Sequence, residues 1–291
     1  MPSLKDLRNR IDSVKSTRKI TQAMKMVAAS KLKKAQEIAE RGRSYSRGLE
    51  DIAKGLISSL ESKESIFIKS ANQKNHNSLI LIISSDRGLC GGLNSNLVKK
   101  VKTLIKDLES KGDNVTLRCV GKKGFDALGG TYRQYFCSDK DFIPITDINY
   151  EETEELGFNI LEDFYQNKFE QCFLFYNFFN SVISQEVKEE KLIPYDDLDN
   201  NQISDNKVYY EYEPDENTVL SKVLPKNFIV QIYKAILESR ASEQGARMTA
   251  MDNASRNAGE MIDSLSLSYN RQRQAMITKE LIEIISGAEA L

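Results

Sequence analysis

The chain has 291 residues, 41 Lys plus Arg against 42 Asp plus Glu, and a formal net charge of -1. With 40% hydrophobic residues, 5 Pro and 15 Gly, its composition excludes a collagenous, low-complexity or disordered chain. A single histidine, His76, excludes metal sites built from two or more histidines, which removes most zinc hydrolases and binuclear centres. Cys90, Cys119, Cys137 and Cys172 form no CxxC pair and read as reduced thiols. No window approaches the roughly 18 apolar residues of a membrane span. The N-terminus enters a helical pattern at once, without the apolar core of a secretory signal.

From Leu4 the heptad frame runs through Leu7, Ile11, Val14, Arg18, Thr21, Lys25, Ala28, Leu32, Ala35 and Ala39. A second stripe, Ile20–Met24–Val27, lies beside it. Ser3 is the expected N-cap, with Asp6 three residues on. No Pro interrupts 3–58, so one helix is predicted from about 4 to 57, about 80 Å long at the usual rise. Basic side chains in residues 1–36 far outnumber Asp6 and Asp12, whereas 137–216 is strongly acidic. Such asymmetry points to segments facing different partners.

The middle of the chain has another texture. Ser78–Ser84 reads as a buried strand, followed by the glycine-rich turn 84–96 (SSDRGLCGGLNSN) and a helix from about Asn94 to Ser110. Asn94 or Ser95 is the expected cap of that helix. A strand over Val115–Val120, a helix over Lys122–Leu128 and a third strand over Thr131–Cys137 follow. Asp147–Asn167 reads as an acidic helix, and Glu170–Asn180 with Val182–Ile193 as a strand pair. Val208–Glu213 reads as an edge strand. The alternation predicts a small, Rossmann-like α/β domain with a mostly parallel sheet.

Pro214 and Pro225 bracket a short predicted helix, and Pro225 suits the first turn of a longer one over 226–286. Small residues line its middle, from Ala241 through Gly245 and Ala250 to Gly259, and permit close approach of a neighbour. Helices this long need a surface against which to bury their stripes, and pairing head with tail in antiparallel fashion supplies it. Aligning the bases (57 against 225) sets Leu4 opposite about residue 278 and leaves Lys279–Leu291 projecting with an unpartnered apolar stripe. The expected division is 1–58 and 215–291 as the two-helix coiled coil and 77–214 as the central domain.

The glycine-rich turn invites a phosphate, because free amides and a helix dipole converge there. Its spacing matches neither GxGxxG nor GxxxxGK[ST], and Gly121–Gly124 lacks the flanking residues of a phosphate loop. The carboxylates of 147–163 and 196–216 sit in polar runs, His76 lies in a polar linker, and 196–206 lacks the order of a calcium loop. No catalytic, cofactor or metal site is expected. The basic N-terminal helix by itself leaves open a coiled-coil adaptor or a nucleic-acid-binding arm, although no aromatic residue accompanies it before Tyr45.

The blocks LKDLRNRIDSVKSTRKITQAMKMVAASKLKKAQ and YNRQRQAMITKELIEIISGA, with SSDRGLCGGLN and ASEQGARMTAMDNASRNAG between them, resemble the gamma-subunit family of F-type ATP synthases from end to end. The resemblance implies a central rotor shaft, one copy per complex. Its partners would be the alpha and beta subunits of the hexamer, the epsilon subunit (delta in mitochondria) and the c-ring, with no nucleic acid and no direct membrane span. It implies a peripheral location on the cytoplasmic face of a bacterial membrane or the matrix face of the mitochondrial one. Carried over by motif, Met24, Lys25 and Arg247 resemble the shaft surface facing beta, and Arg273, Gln274 and Thr278 its upper contact. Arg41, Arg43, Arg47, Tyr210 and Tyr212 resemble the foot near ring and epsilon. The inserted cysteine pair of chloroplast members has no counterpart, so thiol control is not implied, and Cys90 and Cys119 are expected to be buried.

Overall fold

The computed structural model describes residues 3–59, 67, 77–136, 142–145, 149–195, 213 and 216–289. The elements run α1 (Leu4–Ser59), β1 (Asn77–Ile83), α2 (Leu93–Lys111), β2 (Asn114–Val120), α3 (Lys122–Gly129), β3 (Phe142–Ile143), α4 (Tyr150–Tyr165), β4 (Gln171–Phe179), β5 (Gln185–Ile193) and α5 (Glu216–Glu289). Two long terminal helices and a central sheet are therefore present as expected. His76, Cys137, Tyr210, Tyr212 and the expected 208–213 edge strand, apart from Glu213, lie outside the described residues. Contacts divide the chain into two units, residues 1–30 with 247–291 and residues 31–246.

In the first unit, Ser3 caps α1. Its hydroxyl and N–H both donate to the Asp6 carboxylate, at 2.8 and 3.1 Å, and the Asp6 N–H returns to the Ser3 hydroxyl. Leu7, Ile11, Thr21 and Ala28 are buried on the heptad frame, and Met251 and Ala258 answer them on α5. Lys25 Nζ meets Asp252 Oδ1 at 2.5 Å, and Arg18 lies against Gly259. These neighbours fix the antiparallel register. They set Leu4 level with Arg273 rather than residue 278.

In the second unit, the sheet order is β3-β2-β1-β4-β5, parallel except for β5. Both faces are covered, which is why β1 reads as an unbroken apolar run. Leu79, Leu81 and Ile83 point to the face covered by α4 and by parts of α1 and α5, whereas Ile80 and Ile82 point to α2 and α3. The first face gathers Leu156, Ile160 and Phe164 of α4 with Leu224, Phe228 and Ile232 of α5. Ser46 donates to Gln231 Oε1 at 3.2 Å, and a Cβ on Gly42 would stand 2.9 Å from Leu237, so α1 and α5 run antiparallel here too. The small residues Ala241, Ser242 and Gly245 serve close approach, but to the sheet: Ser242 bonds the Asn177 carbonyl and Gly245 lies beneath the Phe179 ring.

Three expectations are corrected. No strand forms over the described residues 131–136. The N–H groups of Thr131 and Tyr132 both return to the Leu128 carbonyl, a 3-10 turn follows over Arg133–Tyr135, and Phe142–Ile143 takes the place beside β2. The aromatic side chains there pack on Phe125 and on one another, so the strand-like composition serves packing instead of a ladder. Pro225 starts no new helix. It lies inside α5, where Leu220, Leu224, Phe228 and Ile229, all buried, outweigh the missing backbone bond. Neither Asn94 nor Ser95 caps α2. Gly92 holds that position, while Asn94 Oδ1 accepts the Ser85 N–H and the Ser95 hydroxyl donates to the Gly92 carbonyl.

One ion pair ties α4 to the sheet. Asp163 accepts hydrogen bonds from Lys168 at 2.6 Å and from Arg118 of β2. Partial burial alone pushes the Asp163 carboxyl upward, but the bonds from Lys168 and Arg118 prevail and hold it below the usual value of 3.8. Folding thus favours the ionised form. The stability it contributes is present above the unfolded value and is lost as pH falls through the folded one. Asp163→Asn is expected to lower the urea midpoint at about pH 7, with the gap from the parent closing as pH falls below the unfolded value of 3.8. Urea titrations across that range check it.

Candidate functional site

Met24 and Lys25 sit one turn below Ala28 on α1. Met24 is half-buried, and Lys25 is engaged by Asp252, which Arg256 also approaches at 3.6 Å. The hydrogen bond from Lys25 holds the Asp252 carboxyl below its ordinary value. Ile20 and Val27, the rest of the second stripe, are more than half exposed. The stripe therefore runs along the outside of the helix pair. Arg247, in the first unit on α5, is half-buried.

Beyond Gln272 the character of α5 changes. Every residue from Arg273 to Ala288 is exposed, including Met276, Ile277, Leu281, Ile282, Ile284 and Ile285. Level with the start of α1 at Arg273, the helix has exhausted its partner within the unit. Arg273, Gln274 and Thr278 open this unpartnered stretch, the Thr278 hydroxyl bonding back to the Gln274 carbonyl at 2.9 Å. The predicted projection is real among the described residues and begins six residues earlier than Lys279.

The glycine-rich turn folds onto its own chain. Its first residues accept the N-terminal amides of α3, at the Gly121–Gly124 segment. The Lys122 N–H donates to Asp86 Oδ1 at 2.9 Å, the Lys123 N–H to the Ser85 carbonyl at 2.9 Å, and the Gly124 N–H to the Ser84 hydroxyl at 2.8 Å. The chain's own carboxylate and oxygens thus take up these three α3 amides. Leu89 projects at the tip with φ 63° and is 63% exposed, while Cys90 beneath it packs on Leu93 and Ala246. Cys119 and Cys172 are buried as well, and burial pushes the Cys172 thiol up to about 12. Among the described residues no cluster of His, Cys, Asp and Glu could hold a metal ion.

At the base of the helices, Arg41 and Arg47 are exposed, but Arg43 turns inward onto Glu238 of α5. Hydrogen bonding to Glu238 raises the Arg43 guanidinium above its ordinary value, against the opposing effect of burial. Sequence reasoning missed Glu238: within AILESR it reads as one more solvated charge, yet it is fully buried.

A family model for ATP synthase matches residues 3–291. The ATP synthase gamma chain of Pelagibacter ubique is 49% identical over 296 residues, covering the whole of both chains. The chain belongs to the ATP synthase gamma-chain family. The gamma chain of Sinorhizobium medicae is 46% identical, again over the full length of both. Among solved structures, the central stalk and c-ring of Tetrahymena thermophila mitochondrial ATP synthase includes a chain 29% identical, with a TM-score of 0.62 over 81% of this chain and 99% of that one. A chain of the Euglena gracilis OSCP/F1/c-ring assembly is 20% identical with a TM-score of 0.69, covering 99% and 94%, and shares the fold. The gamma-chain family is thus supported over the same span as the end-to-end sequence motifs.

Proposed function

We propose that the chain is the central rotor shaft of an F-type ATP synthase, coupling ion flow through a membrane ring to ATP synthesis and hydrolysis on the beta subunits. The observation that carries this reading is the bare apolar end of α5 in a gamma-family chain. A soluble protein rarely leaves such a stretch uncovered unless another protein receives it. We assign 1–58 and 215–291 to the shaft and 77–214 to the foot. Met24, Lys25 and Arg247 would face the beta subunits along the shaft, and Arg273, Gln274 and Thr278 would meet them above. Arg41, Arg47, Tyr210 and Tyr212 would contact the c-ring and epsilon, with Arg43 supporting that region from inside.

An asymmetric shaft presents a different surface to each of three beta subunits in turn. Each orientation therefore shifts their nucleotide affinities through differential contact, the only way a ligand moves an equilibrium. The chain's own part is mechanical, and catalysis belongs to the partners. At Gly121–Gly124 the α3 amides already bond Asp86, Ser85 and Ser84, which supports this for that segment. No helix among the described residues is long and apolar enough to cross a membrane, in keeping with a peripheral subunit on the cytoplasmic or matrix side.

Reconstitution tests the reading. Vesicles carrying the ring, alpha, beta, epsilon and the stationary subunits that hold the hexamer to the membrane are expected to pump ions on ATP addition only when this chain is present, and the chain alone is expected to turn over no ATP. Nucleotide turnover by the chain alone, or salt-sensitive binding to random DNA without association to the hexamer, would overturn it.

A further inference from the structure

Strand β4 is longer than the neighbour it pairs with. Its ladder with β1 ends at Ile82 opposite Phe175, yet β4 continues to Phe179. The main-chain groups of Asn177 and Phe179 on that side therefore have no strand to bond, and buried backbone groups must find partners. Side chains of the two long helices provide all four bonds. The Asn177 N–H donates to the Ser239 hydroxyl at 3.2 Å, and the Ser242 hydroxyl donates to the Asn177 carbonyl at 2.9 Å. The Phe179 N–H donates to Glu238 Oε2 at 3.1 Å, and Arg43 Nη2 donates to the Phe179 carbonyl at 2.8 Å. Arg43 Nη2 also reaches Glu238 Oε2 at 2.8 Å, its Nε bonds Oε1, and its guanidinium lies 4.5 Å above the Phe178 ring. The helices complete the sheet as a surrogate strand, with Glu238 and Arg43 each linking all three elements.

We propose that Glu238 is a positioning residue of the rotor, keying α1 and α5 to the free end of β4 so that, within residues 31–246, the helices and the sheet turn as one body. The proposal rests on the shaft reading above and adds the joint through which torque passes. Hydrophobic packing of α5 on the sheet is non-directional and resists sliding weakly. Charge-assisted, bidentate bonds to a strand backbone have fixed geometry and resist it. A carboxylate with no exposure is costly to keep unless each of its bonds is made.

The test replaces Glu238 with glutamine in the full chain, assembled in vesicles with alpha, beta, epsilon, the ring and the stationary subunits of the complex. Amide exchange at Phe179 is expected to rise about tenfold or more while Ile80 at the sheet centre stays protected. Ions pumped per ATP hydrolysed, measured per assembled complex, are expected to fall, and Glu238→Asp to restore part of the loss. Unchanged exchange at Phe179 together with an unchanged pumping ratio would overturn the proposal. So would pumping and hydrolysis falling in strict proportion, the signature of lost folding alone. Should Glu238→Gln not assemble, Ser239→Ala with Ser242→Ala removes the Asn177 bonds without stranding a charge. A lowered ratio then supports the joint, and a parental ratio refutes it. Failure of the parent complex to pump at all would instead count against the shaft reading.

Discussion

Gly121→Ala is expected to unfold the sheet-bearing unit at temperatures where the parent is intact. Gly121 has φ 101°, a conformation that residues with a Cβ rarely adopt. A Cβ there would stand 2.1 Å from the Ser84 carbonyl oxygen, which is backbone and cannot step aside. The same glycine joins three strand ends. Its N–H donates to the Ile143 carbonyl at 2.8 Å, its carbonyl accepts from the Ser84 hydroxyl at 2.9 Å, and the Ser84 N–H bonds Val120 at 2.7 Å. Strain and lost bonds together put the loss at about 4 kcal/mol or more. For a unit of this size that corresponds to a melting temperature lower by about 10 °C. Gly130→Ala is the matched control: φ is -71° and nothing lies within 4 Å of the new Cβ. It is expected to change stability by less than about 1 kcal/mol. Calorimetry of the two variants checks this, and equal melting temperatures would contradict the close approach at Ser84.

A chain ending at Gln272 is expected to fold as the parent does and to seat poorly in its hexamer. Of the residues removed, 273–288 are exposed and belong to no core cluster. The near-ultraviolet signal and the melting of the sheet should therefore be unchanged. Binding is another matter. Ile277, Leu281, Ile282, Ile284 and Ile285 are each about half exposed or more. Burying even two of them fully in a socket contributes about 3 kcal/mol or more. Their loss should weaken association with the alpha and beta subunits at least about a hundredfold. Titration of labelled hexamer with parent and truncated chain measures this. Equal affinity would show that the apolar end has no receiving surface there.

The two long helices were legible because their burial follows a fixed period. Leu7, Ile11, Ala28, Leu32 and Ala39 occupy the frame the sequence displays. Strand β1 was legible for a different reason, since burial on both faces leaves a run with no polar interruption. The register was legible only in part. Taking Pro225 as a helix start anchored the alignment at the wrong place, and the continuous α5 sets Leu4 five residues lower along its partner. Thr131–Phe136 misled because aromatic side chains mark burial in a turn as well as in a strand. Glu238 was hidden for a tertiary reason: its burial depends on β4 outrunning β1, a length mismatch between strands far apart in sequence. Arg43 was hidden with it, and resemblance alone set it among the outward-facing residues of the foot. The exposed apolar end, by contrast, could be read once pairing was assumed, because its residues continue the stripe after the partner helix has ended.

Rotation itself is the most direct test of a shaft. Ile183, in the loop between β4 and β5, is 86% exposed, and Cys90, Cys119 and Cys172 are buried. With Cys137 replaced by serine, Ile183→Cys gives this chain one reactive attachment point for a gold rod, on a surface-fixed complex with alpha and beta subunits free of reactive cysteine. ATP is expected to drive the rod in one direction, with three dwells per turn as successive beta subunits fire. Steady ATP hydrolysis by complexes whose rods only fluctuate about a fixed angle would contradict it.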